Sequence, residues 1–158
     1  MLLGGTLIYH RARLQYQFNK LPSIRDGVYP QYGGNIEFEL FSFFEICYHL
    51  KDWVKNSPEY SSFTNVEEFV STTPALRICA DICNRLKHKK LKSRRSNTEI
   101  GLFKITNTIS VSMLDGDGQS MTRIDKATIE TERGEECCFI LAEECMREWE
   151  QYFQRNGA

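Results

Sequence analysis

The chain has 158 residues, a net charge of -1 and a hydrophobic content of 41%. This length and composition suit one folded globule with a single core, and they exclude a disordered chain. The balance of charges excludes a strongly basic nucleic-acid-binding protein and an acidic tail. We therefore expect a single domain over residues 1–158.

The sequence carries no sign of a membrane span or an export signal. No apolar run approaches the about 20 residues that a membrane-spanning helix needs. The mildly apolar start, Met1 to Tyr9, has no basic region before it, and Arg11 and Arg13 follow too soon for a signal peptide. We therefore expect a cytoplasmic protein with no membrane partner.

Two helices are predicted in the first third of the chain. Leucine and phenylalanine recur at helical spacing from Leu7 to Leu21, and Pro22 is expected to end that helix. Turn-forming residues then predict a loop over residues 23–35. Asn35 can cap a second helix that runs to about Asn56. This second helix carries apolar residues on most of its faces, so we expect it to lie centrally in the core.

Two further helix starts follow. Thr64 and Glu67 have the spacing of a capping box, which predicts a short helix over residues 66–70. The Thr-Pro pair at 73–74 combines a capping hydroxyl with a proline at the first helical position. A third long helix is predicted from that pair to about Leu91.

The pattern changes between about 101 and 131, where strand-forming residues lie on both sides of an Asp-Gly-Asp-Gly turn at 115–118. From Gly134 to Gln154 a last helix is predicted, because apolar residues recur there at spacings of three and four. The expected fold is therefore mainly α: an antiparallel four-helix bundle with an inserted β-hairpin at about 101–131.

Polar residues line one face of the third long helix. Arg77, Asp81, Asn84 and His88 occur at i, i+4, i+7 and i+11, opposite the apolar face. Such residues can bind phosphate or move protons. The alternative is that this face is simply the solvated side of an amphipathic helix.

The second helix has a similar polar face. Glu45, His49, Asp52 and Asn56 repeat the same spacing. Because the rest of this helix is apolar, we expect His49 and Asp52 to lie near the third long helix, in a cleft-lining or structural hydrogen-bond network. The alternative is again a solvated helix face.

The segment from Cys83 to His88 resembles the nuclease motif of the HEPN (higher eukaryote and prokaryote nucleotide-binding) domains. That motif is an Arg, a polar residue such as Asn, and a His after four to six intervening positions. Asn84 and His88 match it, whereas Cys83 occupies the position of the Arg. The segments YHLKDW at 48–53 and DICNRLKH at 81–88 are similar to uncharacterised bacterial proteins associated with this fold.

The resemblance implies a metal-independent ribonuclease or toxin of a prokaryotic defence system. It implies proton transfer by His88 and charge stabilisation by an Arg, for which Arg77 or Arg85 could substitute. Family members commonly dimerise, so a homodimer is expected, and an antitoxin is a candidate protein partner. Together with the polar face of the third long helix, it gives these candidate catalytic residues: His88, Asn84, Arg77, Arg85 and Asp81.

Two other functions remain open: a non-catalytic helical module that binds RNA or a protein partner, and a homodimeric structural protein. The absence of the motif Arg favours the binding module. A basic run could contact an RNA backbone, although it could equally be a solvated helix end. Its residues are Arg85, Lys87, Lys89, Lys90, Lys92, Arg94 and Arg95.

No metal or cofactor is expected. Five of the six cysteines lie inside helix-like patterns, which favours free thiols in a core over a disulfide framework. No C-x-x-C pair is present, and Cys79 and Cys83 fall on an apolar face. Cys47 is likewise expected to be a core residue.

Overall fold

The computed structural model describes residues 5–26, 35–87, 103–114 and 118–158, with side chains at 5–26, 35–86, 103–106 and 126–158. This part of the chain is mainly helical, with a small three-stranded antiparallel sheet. The elements are α1 (Leu7–Arg25), α2 (Ile36–Asn56), a 3-10 turn (Pro58–Tyr60), α3 (Val66–Thr72), α4 (Pro74–Lys87), β1 (Phe103–Leu114), β2 (Gly118–Thr131), β3 (Gly134–Cys137) and α5 (Cys138–Arg155).

Two asparagines cap helices in the way that the physics of a helix N-terminus requires. The Asn35 side chain accepts hydrogen bonds from the backbone N–H groups of Glu37 and Phe38, which confirms the predicted start of α2. Asn65, and not Thr64, caps α3. The predicted cap was wrong because the Thr64 backbone is engaged elsewhere: its N–H donates to the side chain of Asn156 at the end of α5.

Pro22 does not end the first helix, contrary to the prediction. The helix α1 continues to Arg25, and the Pro22 carbonyl accepts a hydrogen bond of 3.0 Å from the N–H of Asp26. Proline lacks one helical N–H but has a helical φ, so the cost is limited when packing holds the turn. Leu21 and Ile24, both 2% exposed, provide that packing. Residues 27–34 of the predicted loop lie outside the described residues.

The predicted hairpin is confirmed, and a third strand extends it. In the hairpin, β1 pairs antiparallel with β2 from Phe103 opposite Ile129 to Leu114 opposite Gly118. Residues 134–137 form β3 on the other edge of β2, so the prediction of helix from Gly134 was wrong. Gly134 has a φ of +103°, which favours glycine and turns the chain back, and Thr128 then donates to the Glu135 carboxylate at 2.7 Å.

The second helix lies centrally, as its apolar residues on most faces predict. It packs against α1, α3, α4 and α5. Its residues Leu40, Phe43 and Phe44 are completely buried. A polar contact also joins α1 to α2, because Gln17 and Lys20 both donate to the Glu39 carboxylate, at 2.6 Å and 2.7 Å. Among the helices that the structure describes, none combines the length and the hydropathy needed to cross a bilayer.

Candidate functional site

The polar face of α4 is only partly solvated. Asp81 is completely buried, Asn84 is half-buried and Arg85 is exposed. Arg77 forms an ion pair with Glu132, in the turn between β2 and β3. Of the remaining residues predicted for catalysis or RNA binding, only the backbone of Lys87 is described; the others lie outside the described residues. These are His88, Lys89, Lys90, Lys92, Arg94 and Arg95.

The structure separates Arg77 from Asn84. Seven residues of α-helix place them about 10 Å apart along the axis, since each residue rises about 1.5 Å. The guanidinium of Arg77 is held at the sheet by Glu132, whose side chain is 8% exposed. At the other end of α4, Cys83, the neighbour of Asn84, contacts His49 of α2.

His49 lies where α2 meets α4. Its Nδ1 is 3.1 Å from Asp52 Oδ2, and its Nε2 is 3.9 Å from Cys83 Sγ. Burial raises the pKa of the Asp52 carboxyl, but hydrogen bonds from Lys51 and His49 outweigh this effect and hold the pKa below its ordinary value. The carboxylate therefore stays ionised at neutral pH and can orient the imidazole of His49.

A cavity of about 320 Å³ opens between α1 and α2, beside His49. Inside it, the ring of His10 stacks on the ring of Trp53, with centroids 3.7 Å apart and planes 16° apart. His10 is 9% exposed, so this stack forms one wall of the cavity. The lining residues are His10, Arg13, Ser42, Glu45, Ile46, His49 and Trp53.

The cavity combines three kinds of chemical group. The two imidazoles offer ring nitrogens of the kind that act in general acid–base catalysis. The guanidinium of Arg13 can bind a phosphate in a bidentate manner. The cavity volume falls at the lower end of the about 300–1,000 Å³ that is typical of small-molecule sites. The arrangement can therefore bind a small anionic ligand such as a phosphate ester and move a proton on it.

Sequence reasoning found Glu45 and His49 but missed His10, Arg13 and Trp53. Trp53 shares a face of α2 with both residues that it found, eight and four residues after them, so the helical repeat could have added it. His10 and Arg13 are three residues apart on α1. Nothing in their spacing indicates that α1 packs beside that face of α2, because the pairing is a tertiary contact.

Three cysteine thiols meet elsewhere in the core. The Sγ atoms of Cys47, Cys79 and Cys145 all lie within 4.8 Å of one another. These residues come from α2, α4 and α5, and each is completely buried. All six cysteines of the chain are free, as predicted. Within the described residues, this cluster is the group whose atoms could hold a metal ion.

Comparisons of the chain with protein-family models, with curated proteins and with solved structures find no match.

Proposed function

We propose that the protein is a metal-independent ribonuclease of the HEPN-like type, and that it cleaves RNA at the cavity between α1 and α2. One observation carries the proposal. Cys83, which occupies the motif Arg position, lies 3.9 Å from His49 Nε2, and His49 lines the cavity. The sequence motif and the cavity therefore meet at one place, although they come from different helices.

In the proposed reaction the ribose 2′-OH attacks the adjacent phosphorus, and the 5′-oxygen of the next nucleotide leaves. His49 takes the proton from the 2′-OH, and the Asp52 carboxylate at 3.1 Å orients its imidazole. His88 follows the last turn of α4 in sequence and donates a proton to the leaving oxygen. The products carry a 2′,3′-cyclic phosphate and a 5′-OH.

Arg13 replaces the motif Arg that Cys83 displaces. It lines the same cavity as His49, and no ion pair holds it within the described part of the chain. Arg77 is a poorer candidate because Glu132 engages it at the sheet. A guanidinium near the transferring phosphate stabilises the charge that develops on its oxygens.

The proposal includes an antiparallel four-helix bundle made of α1, α2, α4 and α5. The packing of α2 against the other three helices supports this arrangement, as do the contacts of α5 with α1 and α4. In the family that the motif resembles, two copies of such a bundle build one site. A homodimer is therefore part of the proposal, and light scattering of the purified protein tests it.

The function is tested by incubating the pure protein with mixed RNA in EDTA and analysing the fragment ends. We expect fragments with cyclic phosphate ends. His49→Ala and His88→Ala should each reduce the rate by about 10²- to 10⁴-fold, as loss of acid–base catalysis does. Arg13→Ala should reduce it by about 10²- to 10³-fold. Arg85→Ala should have a smaller effect.

Arg11→Ala is the matched control for Arg13→Ala. Arg11 lies two residues earlier on α1, but its guanidinium stacks over the ring of Phe153, 4.0 Å from the centroid, on the side of α5. The Arg11→Ala variant should cleave RNA at the wild-type rate. Equal losses for both arginine variants would contradict the assignment of the cavity.

The alternative function is a non-catalytic module that binds RNA or a protein, and the Cys83 substitution favours it. If wild type and His49→Ala both leave RNA intact but bind it equally, the binding module is correct. If neither binds RNA at low salt, both RNA functions fail. Affinity measured at two salt concentrations separates backbone contacts from other contacts.

A further inference from the structure

Three buried thiols from three helices form a trigonal cluster that the proposed nuclease chemistry does not use. We propose that Cys47, Cys79 and Cys145 form a binding site for a three-coordinate thiophilic ion, and that trivalent arsenic is the ion that fits it best. This site is separate from the cavity between α1 and α2.

The spacing of the sulfur atoms suits one ion between them. If all three separations were 4.8 Å, the largest value allowed, a central ion would lie about 2.8 Å from each sulfur. Thiolate bonds to a soft metal ion are about 2.3 Å long. Each sulfur would therefore have to move by about half an ångström at most, which side-chain rotation can supply.

The present hydrogen bonds of the cluster are weak and easily released. Cys79 Sγ donates to the carbonyl of Phe44 at 3.3 Å, and Cys145 Sγ donates to the carbonyl of Ala75 at 3.6 Å. A thiol is a weak donor, so losing these two bonds on binding costs little.

The number of ligands excludes a typical structural zinc site, which has four protein ligands. Within the described residues, no further His, Cys, Asp or Glu joins the group of three. The other cysteine of α4, Cys83, contacts His49 instead of joining the cluster. Three soft ligands without a fourth favour an ion that is stable with three thiolates.

Charge decides between the thiophilic ions. Burying a net charge without a partner is costly, and the three thiolates together carry three negative charges. Monovalent copper would leave two of them uncompensated, and a divalent ion would leave one. Trivalent arsenic leaves none. In the reaction, arsenous acid exchanges three As–O bonds for three As–S bonds, the thiol protons and hydroxides leave as three waters, and arsenic keeps its oxidation state.

Trp149 supplies a second, independent observation. Its indole Nε1 is buried without a hydrogen bond of normal length among the described residues. The indole and the Cys47 thiol lie within interaction distance of each other. Trp149 therefore aims an unsatisfied donor at the sulfur cluster, where a thiolate bound to an ion could accept it.

Trp149 also marks an entry route. The same residue lines a second cavity, of about 250 Å³, on the surface between α1 and α5. The indole thus separates the thiols from a surface cavity, and its displacement would connect the two. A metal site needs such a path, since its ligands are otherwise inaccessible.

The test uses the full chain, reduced and freed of reductant under anaerobic conditions, and titrated with sodium arsenite. We expect one arsenic per chain, with quenching of Trp149 fluorescence measured in a Trp53→Phe background. The native mass should rise by one arsenic atom less three protons. X-ray absorption should find three sulfur neighbours and no oxygen. Wild-type protein that binds no arsenite, or that loses only two protons, overturns the proposal.

Matched cysteine variants show which thiols bind. Cys79→Ala and Cys145→Ala should weaken binding by more than the about 10- to 100-fold that losing an outer-shell partner costs. Cys83→Ala on the same helix as Cys79, and Cys138→Ala on the same helix as Cys145, should leave the affinity unchanged. Equal losses in the control variants overturn the proposal, as does tighter, four-coordinate binding of zinc by wild type.

Discussion

Lys51 is a nearly buried cation that joins α2 to α3, and its removal gives a quantitative test of the fold. Its side chain is 8% exposed, and Nζ donates to Asp52 at 2.7 Å and to Glu67 at 3.0 Å. Lys55 approaches the same Glu67 oxygen at 3.7 Å, but its side chain is 59% exposed. Lys51→Met removes the buried charge and keeps the apolar stem, and Lys55→Met is the matched exposed control.

The size of the effect follows from the burial of the three charges. A hydrogen bond to a charged group contributes about 1.5–3 kcal/mol. The side chains of Asp52 and Glu67 are 43% and 33% exposed, so water recovers part of that loss in the variant. We expect Lys51→Met to lower the free energy of unfolding by about 1–3 kcal/mol, and Lys55→Met by less than about 1 kcal/mol. At about 2–4 °C per kcal/mol, Lys51→Met lowers Tm by about 2–12 °C.

The loss should depend on pH at both ends. Burial lowers the pKa of Lys51, but hydrogen bonds to Asp52 and Glu67 raise it further, so the net pKa lies above the ordinary value. The stability that Lys51 contributes is therefore present below the unfolded value of 10.5 and is lost as pH rises through the folded pKa. The pKa of Asp52 is lowered, so its contribution is present above the unfolded value of 3.8 and is lost as pH falls through the folded pKa. The difference between wild type and Lys51→Met is therefore largest between about pH 5 and pH 9.

Urea unfolding followed by circular dichroism measures both variants at pH 7, and wild type and Lys51→Met across the pH range. Equal losses for the two lysine variants at pH 7 would refute the assignment of Lys51 as a buried link. A Lys51→Met loss that stays constant as pH falls from 3.8 through the folded pKa of Asp52 would also refute it, because the Asp52 carboxylate loses its charge over that range.

Three further substitutions test local features. Gly134→Ala should lower the free energy of unfolding by about 1–2 kcal/mol through backbone strain alone, since φ is +103° and no atom lies within 4 Å of an added Cβ. Glu39→Gln should lower the free energy of unfolding by about 1 kcal/mol at pH 7. Burial raises the pKa of Glu39, but hydrogen bonds from Lys20 and Gln17 lower it further, so the net pKa is lowered. The loss should therefore fade as pH falls from 4.5 through the folded pKa. Asn65→Ala should cost about 1 kcal/mol through loss of the α3 cap.

Each of these has a control in the same chain. Gly157→Ala has a similar φ of +79° but lies next to the last residue, so its loss should be smaller than that of Gly134→Ala. A Glu39→Gln loss that does not change with pH would contradict the role of its charge. Asn65→Asp keeps the accepting oxygen and should retain the stability that Asn65→Ala loses.

Local sequence signals predicted most of the secondary structure, because a helix cap or a turn depends on neighbours in the chain. Asn35 and Pro74 begin helices where their chemistry requires it. Antiparallel strands lie on both sides of the Asp-Gly-Asp-Gly sequence, as predicted. The predictions were wrong where packing overrode a local preference. Pro22 stays inside α1 because Leu21 and Ile24 are buried around it.

What the sequence alone determined is therefore the type of each long element and the apolar faces that meet in the core. Only the tertiary structure decided which polar residues of different helices meet. His10 reaches Trp53, His49 reaches Cys83, and Arg77 turns away to Glu132. Helical spacing fixes the order of residues around one axis, but it does not fix the rotation of one helix against another. That rotation follows from how whole side chains fill the core, and it placed both the cavity and the three-thiol cluster.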